Sequence, residues 1–189
     1  MKRASLFLAL LLAAILWGGA AHATGANSRN DARLEPLFQQ LKNAKDPAVA
    51  KLLEAQIWHI WTWTDIEDVN LLMRMGIGAM EREDYEAALL HFGEMVRIAP
   101  DFAEGWNKRA TVYYLQGNYT ASVIDIERVL EIEPKHFGAL AGLGLIYLQL
   151  DRKKPALRAF QKALEIHPNM PNARDAVKDL QRAVEGERT

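Results

Sequence analysis

Residues 100–134 read PDFAEGWNKRATVYYLQGNYTASVIDIERVLEIEP, a stretch framed by two prolines and broken once, at Gly117-Asn118. Before the break, Trp106, Ala110 and Tyr113 recur at the spacing that places side chains on one face of a helix. After it, Val123, Ile126, Val129 and Leu130 do the same. Gly117 reaches backbone conformations closed to other residues, and Asn118 can cap a new helix with its side-chain oxygen. The expected local structure is two helices joined by a tight turn.

The same pattern continues on both sides. Pro100, Pro134 and Pro168 stand at equal intervals of 34 residues. Aligned on these prolines, Leu72, Trp106 and Leu140 fall in one column and Ala79, Tyr113 and Tyr147 in another. Gly76, Ala110 and Gly144 share a small-residue column, as do Ala88, Ser122 and Ala156. Phe92, Ile126 and Phe160 share a large one, and Met95, Val129 and Ala163 the last. Small residues fit where two helices touch, and large ones fill the space beside them. Each hairpin leaves an apolar face uncovered, so neighbouring hairpins must stack to bury it.

In these columns the chain resembles the tetratricopeptide repeat (TPR) family across three units, 64–102 with the repeat proper starting at Val69, 103–136 and 137–170. Residues 101–140 resemble small exported bacterial members in particular. The resemblance implies an all-α fold: antiparallel helix-turn-helix hairpins stacked into a right-handed superhelical solenoid. Unit three departs from the pattern at its turn, where Asp151, Arg152 and Lys153 replace the Asp84-Tyr85 and Gly117–Tyr119 arrangements, and Pro155 must then lie in the first turn of a helix. Arg109 also departs, in a column where Met75 and Leu143 are apolar. It is expected to pair with a carboxylate such as Asp125 or Glu127, the alternative being that it snorkels outward.

Residues 31–63 carry two further apolar stripes, Leu34, Leu37, Phe38 and Leu41, then Val49, Leu52, Leu53, Ile57, Ile60 and Trp61. Asp46-Pro47 between them reads as a helix start, with the acid as cap. This helical hairpin resembles a degenerate repeat and is expected to cap the amino end of the stack. Thr64 and Glu67 are spaced as a capping box for the next helix. At the other end, residues 171–189 alternate Ala173, Val177, Leu180 and Val184 with charged positions, as in a solvating end helix that frays at its tip.

The first residues have a secretory layout: Lys2 and Arg3, an apolar run from Leu6 to about Trp17, then Ala21-His22-Ala23. The run is short of the roughly 20 residues a spanning helix needs, so cleavage after Ala23 is expected rather than a retained anchor. A polar linker, 24–30, follows, and no stable membrane insertion is expected once the signal is removed. The chain has 23 Lys and Arg against 24 Asp and Glu, so it offers no basic excess to a phosphate backbone, and nucleic acid is not an expected partner. Without cysteine it has no disulfides, thiolate ligands or Cys nucleophile.

Catalysis is not expected. The five histidines, at 22, 59, 91, 136 and 167, show no ligand spacing, and no Gly-rich phosphate loop or nucleophile elbow occurs. No catalytic, cofactor-binding or metal residue is therefore assigned, and His91 and His136 are read as surface or interface residues. The TPR resemblance implies instead a concave groove lined by the first helix of each repeat, at Met73, Arg74, Ile77, Asn107, Lys108, Thr111, Tyr114 and Leu145, with Asn70 and Ala141 beside them. Asn107 could hydrogen-bond a peptide backbone, Lys108 and Arg74 could meet an acidic group, and Tyr114 offers a broad apolar face.

Some family members grip a terminal carboxylate with a basic, Asn-rich clamp. Here Met73, Ile77, Gly138 and Gly142 stand where that set would be needed, so that ligand is not expected. Trp58, Trp61 and Trp63 form the densest aromatic cluster, and Trp58 lies off the apolar stripe as a candidate second surface. The expected activity is that of a non-catalytic scaffold holding a protein or peptide in the periplasm or envelope. Two alternatives stay open: a carbohydrate or cell-wall module built on the Trp cluster, and a structural protein whose repeats stack into a homo-oligomer.

Overall fold

The computed structural model describes residues 31–186, which contain helices and turns and no strand. The expected signal 1–23, the linker 24–30 and the extreme carboxyl tip lie outside the described residues. In chain order the helices are α1 (Leu34–Asn43), α2 (Pro47–Thr62), α3 (Glu67–Glu81), α4 (Tyr85–Ile98), α5 (Ala103–Leu115), α6 (Tyr119–Ile132), α7 (Phe137–Gln149), α8 (Lys153–Ile166) and α9 (Pro171–Gly186). The three repeats are α3/α4, α5/α6 and α7/α8, stacked in order as an all-α solenoid. No helix among the described residues is long and apolar enough to cross a membrane.

The turns form as the sequence requires. Gly117 takes φ +74°, and the Asn118 side chain accepts from the Ala121 N–H at 3.2 Å to cap α6. Asp84 caps α4 in the same way through the Ala87 N–H at 3.1 Å. In the third repeat the left-handed position falls on Asp151, at φ +51°, and Arg152 gives α8 no side-chain cap. Pro155 sits in the first turn of α8, where its missing N–H is not needed.

The small and large columns meet inside each repeat. A Cβ added to Gly76 would lie 2.4 Å from the Phe92 ring, and one added to Gly144 would lie 2.7 Å from the Phe160 ring. In the second repeat the small column is Ala110 and Ser122, and the buried Ser122 hydroxyl donates to the Ala110 carbonyl at 2.7 Å. Between repeats, Gly105 rests on Met95 and Val96, while Val112 and Ile146 are sealed completely. Arg109 pairs as expected, its guanidinium gripping both Asp125 oxygens at 2.8 and 2.7 Å across the α5–α6 hairpin. Helix α9 closes the far end by burying Ala173, Leu180 and Val184.

The amino-terminal hairpin corrects the sequence reading. It does not cap the amino end of the stack but lies on the inner side of the second and third repeats. There Phe38, Ile57 and Trp61 share one apolar cluster with Phe137, Ile166 and Met170. Trp61 stacks on His136 with ring centroids 4.1 Å apart, the Asn169 amide donates to the Ala44 carbonyl at 2.6 Å, and Lys135 meets Glu35 at 2.5 Å. The capping box is also absent: α3 begins after Ile66 without a side-chain cap, and Thr64 is buried instead. Its hydroxyl accepts from the Ile66 N–H, and Asn70 brackets its backbone with bonds of 3.2 and 2.6 Å. A local turn with these backbone partners outcompetes the box for the same hydroxyl.

Candidate functional site: the inner face of the second and third repeats

Helices α5 and α7 present their inner faces to a cleft of about 400 Å³, and Trp58 of α2 forms its remaining wall. The cleft is open because α7 carries Gly138 and Gly142 where side chains would otherwise stand. Trp58 uses the first gap, its indole lying 2.8 Å from where a Gly138 Cβ would be. The second gap leaves a floor of Ala110, Ile126 and Ile146, all buried. Asn107, Lys108, Thr111, Tyr114 and Leu145 stand around the opening.

The polar groups of this rim are largely engaged with one another. Glu104, fully buried on α5, accepts from the Asn107 amide at 2.9 Å, lies 3.1 Å from His136 Nε2, and pairs with Lys108 at 3.1 Å. Burial alone would raise the Glu104 carboxyl, but the His136 hydrogen bond and the Lys108 charge outweigh it and hold it below the ordinary carboxylate range. The Ala139 N–H donates to His136 Nδ1 at 3.0 Å, which leaves the ring proton on Nε2, facing Glu104. The imidazole thus caps α7 and serves the buried carboxylate at once. His136 is therefore a fully buried cap at the seam with Trp58 and Trp61, which corrects the surface half of its surface-or-interface reading. The Thr111 hydroxyl donates to its own helix at the Asn107 carbonyl, and Tyr114 packs beside Tyr119.

The other groove residues divide. Arg74 and Ile77 are exposed on α3, outside the cleft, whereas Met73 is 5% exposed and belongs to the core of the first repeat. Met73 is thus a correction: its side chain turns inward between α3 and α4 and offers a guest nothing. Trp58 stands half-buried, with its indole N–H directed to Glu54 at 3.3 Å and its ring edge-on to Trp61, His136 and Phe137. Trp63 remains 56% exposed, so the three tryptophans do not form one platform. Glu104 went unread in the sequence. Its only signal was an acid in the column held by Asn70 and Gly138. No cluster of three His, Asp or Glu residues able to hold a metal occurs among the described residues.

The tetratricopeptide repeat family model matches residues 101–169, the second and third repeats that form this cleft. A TPR repeat-containing protein of Rhizobium etli is 38% identical over 164 residues, spanning 87% of this chain and 80% of that protein. The chain belongs to the tetratricopeptide repeat family. Small glutamine-rich tetratricopeptide repeat-containing protein 2 of Saccharomyces cerevisiae is a more distant TPR relative, 30% identical over 107 residues that make up 57% of this chain and 30% of its own length. Among solved structures, the Sgt2 TPR domain from Aspergillus fumigatus has a TM-score of 0.61 at 24% identity, over 66% of this chain and 84% of that one. The first TPR of Spaghetti, bound to an HSP90 peptide, has a TM-score of 0.61 at 16% identity, over 64% and 96%. At such identities the likeness concerns the TPR fold alone.

Proposed function

We propose that the protein is a non-catalytic adaptor of the cell envelope, exported by its first 23 residues, that holds a protein or peptide against the inner face of its second and third repeats. The observation that carries this reading is the cleft beside Trp58, whose apolar floor stays open because α7 has glycine at positions 138 and 142. Its size suits one or two apolar side chains, the kind of anchor that dominates the energy of a protein interface. The solved relative that holds an HSP90 peptide supports a peptide as the class of guest. The chemistry of the rim differs from an acid-gripping clamp, because Lys108 is already neutralised by Glu104. An apolar anchor is therefore favoured over an acidic tail.

The test is site-specific photocrosslinking in cells. A crosslinking amino acid at Tyr114, on the rim, should capture discrete partners. The same group at Ile124, 59% exposed on α6 and outside the cleft, is the control. Equal capture at both positions would refute the groove as the binding face. Amino-terminal sequencing of protein recovered from the envelope should begin at Thr24, and an intact Met1 would refute the cleaved signal.

A further inference from the structure

The second helix of each TPR hairpin normally covers the first helix of the next. Gly105 and Ala139, one repeat apart, are both buried in this way, as are Val112 and Ile146. The matching residues of the first repeat are Leu71 and Gly78, and among the described residues no second helix covers them equivalently: Leu71 is 46% exposed and Met75, on the same helix, 45%. The leading edge of the solenoid is thus an open apolar face. The segment that precedes it in the chain is a helical hairpin, yet that hairpin sits in the groove.

Chain connectivity does not forbid the regular position. The link from α2 to α3, residues 63–66, has the same four-residue length as the links 99–102 and 133–136 that join stacked hairpins and the link 167–170 that leads to α9. The repeat register also supplies a matching face. At the α4–α5 junction, Met95 and Val96 pack on Gly105, and Leu89 joins the cluster that holds Val112. Moved back one repeat of 34 residues, these become Trp61, Thr62 and Ala55 on α2, facing Leu71 and Gly78 on α3. Leu52, one turn earlier on α2, is 66% exposed where the hairpin now lies and lines a second surface cleft of about 570 Å³ with Leu37 and Ile60. The stacked seat would bury the Leu52-side apolar surface of α2 together with Leu71 and Met75, which the groove seat leaves exposed.

The present seat is imperfectly satisfied. Trp61 Nε1 and His167 Nδ1 are buried without a hydrogen-bond partner, and both lie at the seam between hairpin and repeats. Unpaired buried polar atoms weaken that seat relative to one where water can reach them.

We infer that the α1–α2 hairpin is a gate: it alternates between its seat in the groove and a stacked seat on the leading edge of the first repeat, and a guest gains the whole inner face only when it moves. The inference rests on the groove being the guest-binding face. In the groove seat Trp58 and Trp61 occupy the inner surface; in the stacked seat Trp61 covers Leu71, and the chain becomes an uninterrupted solenoid. A guest that binds only the open form shifts the population toward it by mass action.

Because the chain has no cysteine, two engineered pairs can trap the two seats. Ala44→Cys with Asn169→Cys joins residues already in contact through a 2.6 Å hydrogen bond and locks the gate in the groove. Ala55→Cys with Gly78→Cys joins positions that meet only in the stacked seat. Both pairs should close within single chains under mild oxidation, the second more slowly. Trp58→Ala, which removes the contact with Gly138, should speed the second closure by roughly tenfold or more. The probe for a vacated groove is a synthetic peptide of residues 47–62, PAVAKLLEAQIWHIWT. It should bind the oxidised 55–78 protein roughly tenfold or more tightly than the oxidised 44–169 protein. Under reducing conditions the tenfold difference should vanish, and the 44–169 variant, which lacks the Asn169 amide bond to Ala44, should bind the peptide no more weakly than the 55–78 variant.

If the 55–78 pair never closes within a chain while the 44–169 pair does, or if both locked forms take up the peptide equally, the gate is refuted. If instead the gate behaves as described but the Tyr114 crosslinker in the 55–78 protein captures no more than the Ile124 control, the gate stands and the adaptor reading fails.

Discussion

Two glycines in the first repeat sit in the middle of helices and should respond oppositely to the same substitution. Alanine stabilises a helix interior by about 0.8–1.0 kcal/mol relative to glycine, and nothing in the local sequence distinguishes Gly76 on α3 from Gly93 on α4 in this respect. Packing does. A Cβ at Gly93 would meet nothing within 4 Å, so Gly93→Ala should keep the full helix gain. A Cβ at Gly76 would stand 2.4, 2.6 and 2.9 Å from three atoms of the Phe92 ring. That ring is 0% exposed within a cluster containing Met73, Ala88, Met95 and Val112, so it cannot swing away without moving the core. Overpacking of this kind costs about 1–3 kcal/mol, which exceeds the helix gain except at its lower limit. In a chain of this size 1 kcal/mol moves the melting temperature by about 2–4 °C, so Gly93→Ala should raise it by a few degrees and Gly76→Ala lower it. Adding Phe92→Leu to Gly76→Ala should recover part of the loss, because the two changes share one space and are not additive. Thermal melts and urea titrations of these three variants and of Phe92→Leu alone decide it. A rise for Gly76→Ala, or strict additivity with Phe92→Leu, would refute the claim that small and large columns define how these hairpins close.

The Arg109–Asp125 pair should be asymmetric. Arg109→Leu leaves a carboxylate that is 3% exposed without its partner and should approach the roughly 3–5 kcal/mol cost of breaking a buried pair, whereas Asp125→Ala leaves a cation that is 20% exposed and can reach water. Urea unfolding midpoints that show equal losses would contradict this. Burial lowers the His167 pKa, with Glu54 opposing it more weakly, so the unfolded chain binds the proton more readily. Stability should therefore fall as pH drops below about 6.5, the ordinary value of a histidine, and His167→Gln should flatten that slope. The depressed Glu104 carboxyl acts only below its ordinary value of 4.5, so urea midpoints between pH 7.5 and 5 isolate the histidine, and a slope of the opposite sign would refute the assignment. Finally, a Cβ at Gly142 would make ordinary contact with Ile126 at 3.7 Å, so Gly142→Ala should not destabilise the fold but should raise the cleft floor and weaken the crosslinking yield at Tyr114; unchanged yield with an intact fold would argue that guests do not use the floor.

The repeats were legible in the sequence because everything that defines them is local and recurs. Pro100, Pro134 and Pro168 mark the links, and Asp84 and Gly117-Asn118 announce the turns of the first two repeats. The alternation of Gly76 with Phe92, and Gly144 with Phe160, is a contact between positions 16 residues apart within one hairpin. Arg109 was legible for a related reason: a lone cation in an apolar column needs a counter-charge, and Asp125 lies at the same separation on the facing helix. What could not be read was any feature whose cause lies outside its own repeat. Met73 fits the groove pattern by position, but its long flexible side chain is drawn into a core that the first repeat shares with Val112 of the second. Glu104 is buried because Lys108 and His136 neutralise it, the second from the link that caps α7, 32 residues on.

The seat of the amino-terminal hairpin is the extreme case. Its helices were readable from Leu34 to Trp61, and the four-residue link before α3 argues for stacking at the leading edge. Stacking there would bury Leu71, yet the groove offers Trp61 a parallel-stacked partner in His136 and offers Trp58 the space left by Gly138. These contacts join residues about 80 positions apart, and each side reads alone as something ordinary: an aromatic on an apolar stripe, a glycine allowing close helix contact. A helix with apolar residues on more than one face has more than one place to bury them, and its pattern cannot rank the choices. In α2, Trp61 and Ile57 serve one surface while Leu52 and Val49 remain exposed on another. The ambiguity that hid the hairpin's position from the sequence is therefore the same property that would let it move: two apolar faces, two receptive surfaces, and one link long enough for either.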